Sequence, residues 1–304
     1  MGSLEFINLA LFIYKIKHFI TISNIYAIYN ALKIYFFMQI KIFIGCAGWD
    51  YKDWVGPFYP KTLESFHHLE HYIKYFDIVE INSTFYNLPS SEIVFGWATR
   101  VPKDFQFIVK VWQKITHNLN ETDLDMYINQ FFSRMETLRD NISRFLFQFP
   151  PWFKYSEKHL KQLDNLIKRI PSDYKYIIEL RDNSWFNPNI LSDLVDGFRG
   201  ILGTTYMPDL IPYYMPNQKS YYIRLIGDRE LTVFNRIQRK QEEAMNDLNK
   251  NIDILKKSPN VYQIFIIVNN HFAGFAPESV NELKKRFELP IKQFNQQKKI
   301  FDFL

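Results

Sequence analysis

Eight short apolar runs alternating with longer amphipathic stretches constrain this chain more than any other feature. The runs occupy residues 41–44, 78–81, 106–110, 145–148, 176–179, 201–204, 221–225 and 262–268, with 201–204 the weakest. A short, nearly continuous apolar run reads as a strand buried on both faces, the condition of a parallel sheet covered by helices. Between the runs, 64–75, 122–138, 157–169 and 239–256 carry apolar residues three and four apart, the spacing of a helix with one buried face. Eight such repeats predict a closed (β/α)8 barrel of the TIM type, a fold that typically takes about 250 residues. The runner-up is an open doubly wound sheet. Its glycine-rich fingerprint is missing, because Gly45-Cys46-Ala47-Gly48-Trp49 lacks a third glycine and continues into Asp50-Tyr51-Lys52-Asp53-Trp54 instead of a helix.

The barrel reading covers 38–304, and the preceding 1–37 differ in kind. They are rich in Ile, Tyr, Phe, Leu and Asn, with Glu5 the single acid. Lys15, Lys17 and His18 interrupt the apolar stretch, against a membrane-spanning helix, and charges inside that stretch argue against a signal peptide. Two readings stand for it: translated flanking sequence ahead of a start at Met38, or an amphipathic surface anchor. With 47% hydrophobic residues, 23% charged residues and 10 glycines in 304, disordered and fibrous classes are excluded. The single cysteine, Cys46, cannot form an internal disulfide, so the expected compartment is the cytoplasm. A formal charge of +5 permits an anionic partner without requiring one.

In a β/α barrel the C-terminal ends of all eight strands converge on one mouth, so the polar residues there are the informative ones. The second run ends in Glu80-Ile81-Asn82 and continues to Tyr86, the third ends at Lys110, and the fourth ends at Gln148. The fifth gives Glu179-Leu180-Arg181 followed by Trp185, the seventh contains Arg224, and the eighth runs into Asn269-Asn270-His271. Ionisable groups at the ends of apolar strands are costly to bury unpaired, so they form a network or face a ligand.

These residues also carry a resemblance. Gly-x-x-Gly-Trp-x-Tyr-x-x-Trp-x-Gly-x-Phe-Tyr-Pro from Gly45 to Pro60, Glu-Ile-Asn-Ser-Thr-Phe-Tyr from Glu80, Gln-x-Pro-Pro at Gln148, Glu-x-Arg at Glu179, and Asn-Asn with Gly-x-Ala-Pro near the end resemble the DUF72 (YecE-like) family. The resemblance implies a TIM-type barrel in a cytoplasmic prokaryotic protein and implies no established reaction. The chain departs from the family pattern at Ile226, where Arg-Leu-His-Gly is usual, and at Cys46 and Ala47, where Thr and Ser are common. A mechanism using that histidine or those hydroxyls does not apply here.

Three function classes follow from the residues. The first is an enzyme acting on an anionic, ring-containing substrate: a nucleotide, nucleic acid or phosphorylated sugar. Lys110, Arg181 and Arg224 would hold the anion, because a guanidinium fork suits phosphate and carboxylate. Glu80 or Glu179 would act as base and His117, with a pKa ordinarily near neutrality, as acid. Asn82, Gln148, Asn269 and Asn270 would orient the ligand, and Trp49, Tyr51, Trp54, Tyr86 and Trp185 would stack on its rings, as on a single-stranded nucleic-acid platform. Trp49 and Trp54 are the two most expected to face the cleft. The second class is a glycosidase using Glu80 and Glu179 on a neutral sugar. The third is a ligand- or nucleic-acid-binding protein without turnover, in which Glu179 pairs with Arg181 and Glu80 with Lys110 as charge balance. The cofactor is left open, with Glu80, His117, Glu179 and His271 as candidate members of a metal site. Their spacing is not diagnostic of a metal.

Overall fold

A computed structural model describes residues 40–119 and 122–294, so the expectations for 1–37 lie outside the described residues. Eight parallel strands close into one barrel in sequence order, β1 against β8. In chain order the elements are β1 (Lys41–Ala47), α1 (His68–Tyr72), β2 (Ile78–Ile81), α2 (Ser83–Tyr86), α3 (Ser91–Thr99), β3 (Gln106–Lys110), α4 (Gln113–Thr116), α5 (Leu124–Met135) and β4 (Ile142–Gln148). They continue with α6 (Glu157–Arg169), β5 (Tyr176–Glu179), α7 (Pro188–Leu191), β6 (Gly200–Tyr206), β7 (Ser220–Leu225), α8 (Glu242–Lys256), β8 (Gln263–Val268), α9 (Asn270–Ala273) and α10 (Ala276–Arg286). The closed barrel is the expected fold, and all eight apolar runs fall on its strands. The weakest of them, 201–204, belongs to a seven-residue strand buried throughout. No helix separates β6 from β7, whose connection 207–219 is irregular.

The helices follow the same chemistry as the expectation, with shorter ends. In α6, Ser156 accepts a hydrogen bond from the His159 amide at 3.1 Å, Leu163 and Leu166 face the barrel, and Lys168 and Arg169 sit at the negative end of the helix dipole. In α8, Met245, Leu248, Ile252 and Leu255 form the buried stripe behind an acidic first turn, Glu242 and Glu243. Two expectations ran too long. Only His68–Tyr72 of 64–75 is α-helical, preceded by a 3-10 turn, and 122–138 gives α5 followed by a 3-10 segment.

Strand alternation fixes what fills the barrel. Ala47, Ile78, Ile108, Leu146, Ile177, Ile201, Tyr222, Phe265 and Ile267 pack together as the interior core. Side chains two residues further along a strand point the same way. The next layer inward and upward is therefore Glu80, Lys110, Gln148, Glu179 and Arg224, all buried. At the opposite end Arg144 closes the barrel, its guanidinium donating to the Arg199 and Phe198 carbonyls at 3.0 and 2.9 Å.

The barrel closes only because β1 and β2 approach without a side chain between them. Any Cβ on Gly45 would overlap the Ile78 carbonyl. Gly45→Ala should therefore destabilise the fold by about 1–3 kcal/mol or more. Gly96→Ala, in α3 with only ordinary contacts nearby, should be neutral or stabilising by up to about 1 kcal/mol. Urea unfolding of both variants checks the pair, and equal midpoints would contradict this account of closure.

Candidate functional site

The polar layer is organised by Arg224, 3% exposed. Its Nη1 donates to Glu179 Oε2 at 3.1 Å, and its Nη2 donates to Glu80 Oε1 at 2.5 Å and to Asn82 Oδ1 at 3.1 Å. Both carboxylates are fully buried. Tyr222, directly below Arg224 on β7, donates its hydroxyl to the other oxygen of Glu80. Arg181 folds back onto Glu179, with Nε and Nη2 at 2.8 and 2.7 Å from Oε1. The neighbouring guanidinium of Arg224, then Arg181 and Lys110, overcome the burial penalty and hold the Glu179 carboxyl down at about 2. Burial alone would raise it. Removing one partner from such a cluster leaves an uncompensated buried charge, which costs about 3–5 kcal/mol.

Lys110 breaks the pairing pattern. The expected Glu80–Lys110 pair does not form, because Arg224 and Tyr222 saturate Glu80. Among the described residues no carboxylate lies within ion-pair distance of Lys110 Nζ, which sits 3.7 Å over the Phe85 ring with 6% of the residue exposed. Burial, then the Arg224 charge, pushes its ammonium down to about 7, although Glu179 and Glu80 oppose the shift. The backbone beneath it is fixed, since Thr84 donates to the Lys110 carbonyl at 2.6 Å.

His117 follows the short α4 beside this cluster. Its Nδ1 is 2.9 Å from Thr116 Oγ1 and its ring lies edge-on to Phe85 and Trp152. Burial, then the Lys110 and Arg181 charges, lowers its pKa to about 4, so it is neutral at pH 7 and is not a resting-state acid. A recess of about 250 Å³ opens beside it, lined by Trp152, Lys158, His159 and Gln162 among others. A larger hollow of about 690 Å³ lies at the N-terminal end of the strands, around Lys41, Gln106 and Lys175, away from this polar layer.

The aromatic and amide expectations divide. Tyr51 lies at the mouth, its hydroxyl bonded to the Ala47 carbonyl at 2.5 Å and raised by burial and by neighbours including Glu80, and Tyr86 is 62% exposed nearby. Trp54 does not face the cleft. It is fully buried against Phe58, Tyr59 and Phe275, and its Nε1 donates to Asn270 Oδ1 at 3.1 Å. That bond also explains Asn270 Oδ1, which accepts from the Ala276 amide as well and so ties two loops together, while the buried Nδ2 has no partner among the described residues. Trp49 packs edge-on to Trp97 and against Phe107, outside the barrel interior. Trp185 is buried with its Nε1 on the Phe153 carbonyl at 2.6 Å. Asn269 caps α9 through the His271 amide at 3.0 Å, and Gln148 Nε2 donates to the Phe149 carbonyl at 2.6 Å.

Three residues at the mouth escape the sequence reading. Tyr222 is masked inside an apolar run, and its only signal is its position two before Arg224. Thr205, paired with Arg224 across β6 and β7, is buried with no partner for its hydroxyl among the described residues, and Arg224 Nε likewise has none. Trp152 is 59% exposed immediately after the two prolines that follow β4. Cys46 is buried, and burial pushes its thiol well above the usual range, against a nucleophile. Among the described residues no three His, Cys, Asp or Glu side chains converge to hold a metal ion, and no helix is long and apolar enough to cross a membrane.

A sequence profile of the family described as "Protein of unknown function DUF72" matches residues 43–300. The UPF0759 protein YunF of Bacillus subtilis is 23% identical over 274 residues, 82% of this chain and 95% of YunF. The UPF0759 protein YecE of Escherichia coli is 30% identical over 145 residues, 48% of this chain and 50% of YecE. A DUF72 family protein from Thermotoga maritima superposes with a TM-score of 0.68 at 25% identity, covering 82% of this chain and 99% of that one. One from Enterococcus faecalis gives 0.66 at 21%, covering 83% and 100%.

The Glu179 carboxyl is ordinarily near 4.5 and lies near 2 in the fold, so its pairing stabilises the protein above about pH 4.5. That contribution, at most about 3 kcal/mol, disappears as pH falls from 4.5 toward 2. Glu179→Gln should therefore lose less stability than the wild type over this acid range in urea titrations. Parallel pH profiles for the two proteins would contradict the pairing.

Proposed function

The chain belongs to the DUF72 family, whose description assigns no reaction, and on that premise we propose that its barrel mouth is the active site of an enzyme acting on an anionic, ring-containing substrate. The observation that carries this reading is the surplus of buried cations. Among the described residues, Lys110, Arg181 and Arg224 face only Glu80 and Glu179, and Arg224 is consumed by bridging both carboxylates. Arg181 keeps Nη1 outside its bonds to Glu179, and Lys110 has no carboxylate of its own among the described residues. Arg181, joined by Lys110 in its protonated form, holds the anion, and Arg224 orders the layer beneath them. A buried lysine with no counter-charge is a costly arrangement that an incoming phosphate or carboxylate relieves.

Acid–base work then falls to Lys110, whose pKa near 7 suits proton transfer at neutral pH. Glu179, held down at about 2, is a poor base at its post, and both oxygens of Glu80 are committed to Arg224 and Tyr222. Neutral His117 accepts or donates a hydrogen bond at the rim, and the recess beside it, lined in part by Trp152, takes the substrate's ring. The geometry favours this over a two-glutamate glycosidase. The Arg224 guanidinium fills the space between the two carboxylates, where such a mechanism places the scissile bond.

Thermal unfolding of the full chain tests the reading. Sulfate, phosphorylated sugars and nucleotides should each raise the melting temperature, by a shift equivalent to about 2.7 kcal/mol at a hundredfold excess over Kd. Arg181→Gln and Lys110→Met should lose most of the effect. Because the anion favours the protonated lysine, sulfate affinity should be highest below pH 7 and fall as pH rises through about 7, with Lys110→Met lacking that step. Stabilisation by neutral sugars alone, or an unaltered sulfate response in Arg181→Gln, would overturn it.

A further inference from the structure

We propose that Lys110 is a nucleophile that forms an imine with a carbonyl compound carrying a phosphate or carboxylate, the anionic group being seated on Arg181. This deepens the anionic-substrate reading above and rests on it for the seat of the anion. Four features of the geometry converge. The amine lies at the C-terminal end of a barrel strand, where the side chains of the mouth meet. It is buried, and its immediate neighbour is the apolar face of Phe85 at 3.7 Å. No carboxylate among the described residues is close enough to hold it as an ammonium, and the Arg224 and Arg181 charges disfavour that form. A lysine desolvated beside other cations is the arrangement that keeps an amine neutral and nucleophilic near pH 7. Its strand is pinned by the Thr84 hydroxyl on the Lys110 carbonyl and by the Val111 amide on the Leu146 carbonyl, so the amine is delivered from a fixed base.

The step balances without an oxidant or reductant. The neutral Nζ lone pair attacks the carbonyl carbon, forming a C–N bond as the C=O π pair moves to oxygen. Proton transfer from nitrogen to oxygen gives a carbinolamine. The carbinolamine hydroxyl takes one proton and leaves as water while the nitrogen lone pair forms the C=N bond. One carbonyl, one amine and one proton thus yield one protonated imine and one water. Neutral His117, next to this site at the rim, is placed to relay the proton. The protonated imine withdraws electrons from the adjacent carbon, which suits substrates whose next event is loss of a proton or a carbon–carbon bond there. The substrate class is accordingly a phosphorylated keto- or aldosugar or a 2-oxo acid.

Borohydride trapping on the full-length protein tests this. Dihydroxyacetone phosphate, dihydroxyacetone and pyruvate serve as separate probes, followed by intact mass measurement and peptide mapping. The expected result is one reduced adduct at Lys110 with dihydroxyacetone phosphate, formed at least tenfold faster than at any other lysine. Its rate should rise with pH through about 7 as the amine loses its proton. Sulfate should protect Lys110, a control that needs no variant, and Lys110→Arg should abolish the adduct. Arg181→Gln should slow labelling by the phosphate-bearing probe at least tenfold more than it slows labelling by dihydroxyacetone. Labelling spread over surface lysines with Lys110 spared would overturn the nucleophile, even where sulfate still stabilises the protein. Equal labelling of Lys110 by the phosphorylated and neutral probes, with no sulfate protection, would keep the nucleophile and overturn the anion seat.

Discussion

One guanidinium holds the chemical end of this barrel together. Arg224 reaches from β7 across the interior to Glu80 on β2 and Glu179 on β5, so three strands spread around the ring are tied at a single point. Burying three charges is expensive, and the arrangement is tolerable because each has its partner within hydrogen-bonding distance. Tyr222 and Asn82 add to the shell, bonding the second oxygen of Glu80 and Nη2 of Arg224. The glutamates most reminiscent of a catalytic pair are thereby committed to structure, and the chemistry moves to what they leave unneutralised.

What they leave is Lys110 and the outer half of Arg181. The same burial that strengthens the Arg224 bridge penalises the ammonium of Lys110, and the Arg224 charge adds to that penalty. Lys110 in turn helps hold His117 neutral. The mouth is thus a coupled set in which an arriving anion raises the affinity of Lys110 for its proton, while a neutral amine stands ready once the proton leaves. Both behaviours stem from one geometric fact, a lysine brought to a barrel mouth whose carboxylates are already spoken for.

The layer itself was legible in the sequence because alternation is strict in a strand. Glu80, Lys110, Gln148, Glu179 and Arg224 each lie two residues beyond an interior apolar residue, so eight apolar runs were enough to bring them to one level. The pairing within the layer was not legible. Glu179–Arg181 is local and could be read from spacing, whereas Glu80–Arg224 spans 144 residues and depends on the barrel's diameter. The expectation that Trp54 faces the cleft failed for a related reason. Trp54 sits in a polar-looking loop, and nothing local says that Asn270, 216 residues away, accepts from its indole and Phe275 covers it. Tyr222 and Trp152 were hidden in the opposite way, one inside a core strand and one behind two prolines.

The titration of Lys110 measures the central claim directly. Carbon-13 labelled lysine, assigned at Lys110 by comparison with Lys110→Arg, reports the protonation of each amine through its Cε shift. The expected midpoint lies near 7, well below the 10.5 of a free lysine, and moves upward when sulfate is added. A midpoint near 10.5, unmoved by sulfate, would mean that Lys110 is solvated or paired in solution, and would contradict both the anion site and the nucleophile.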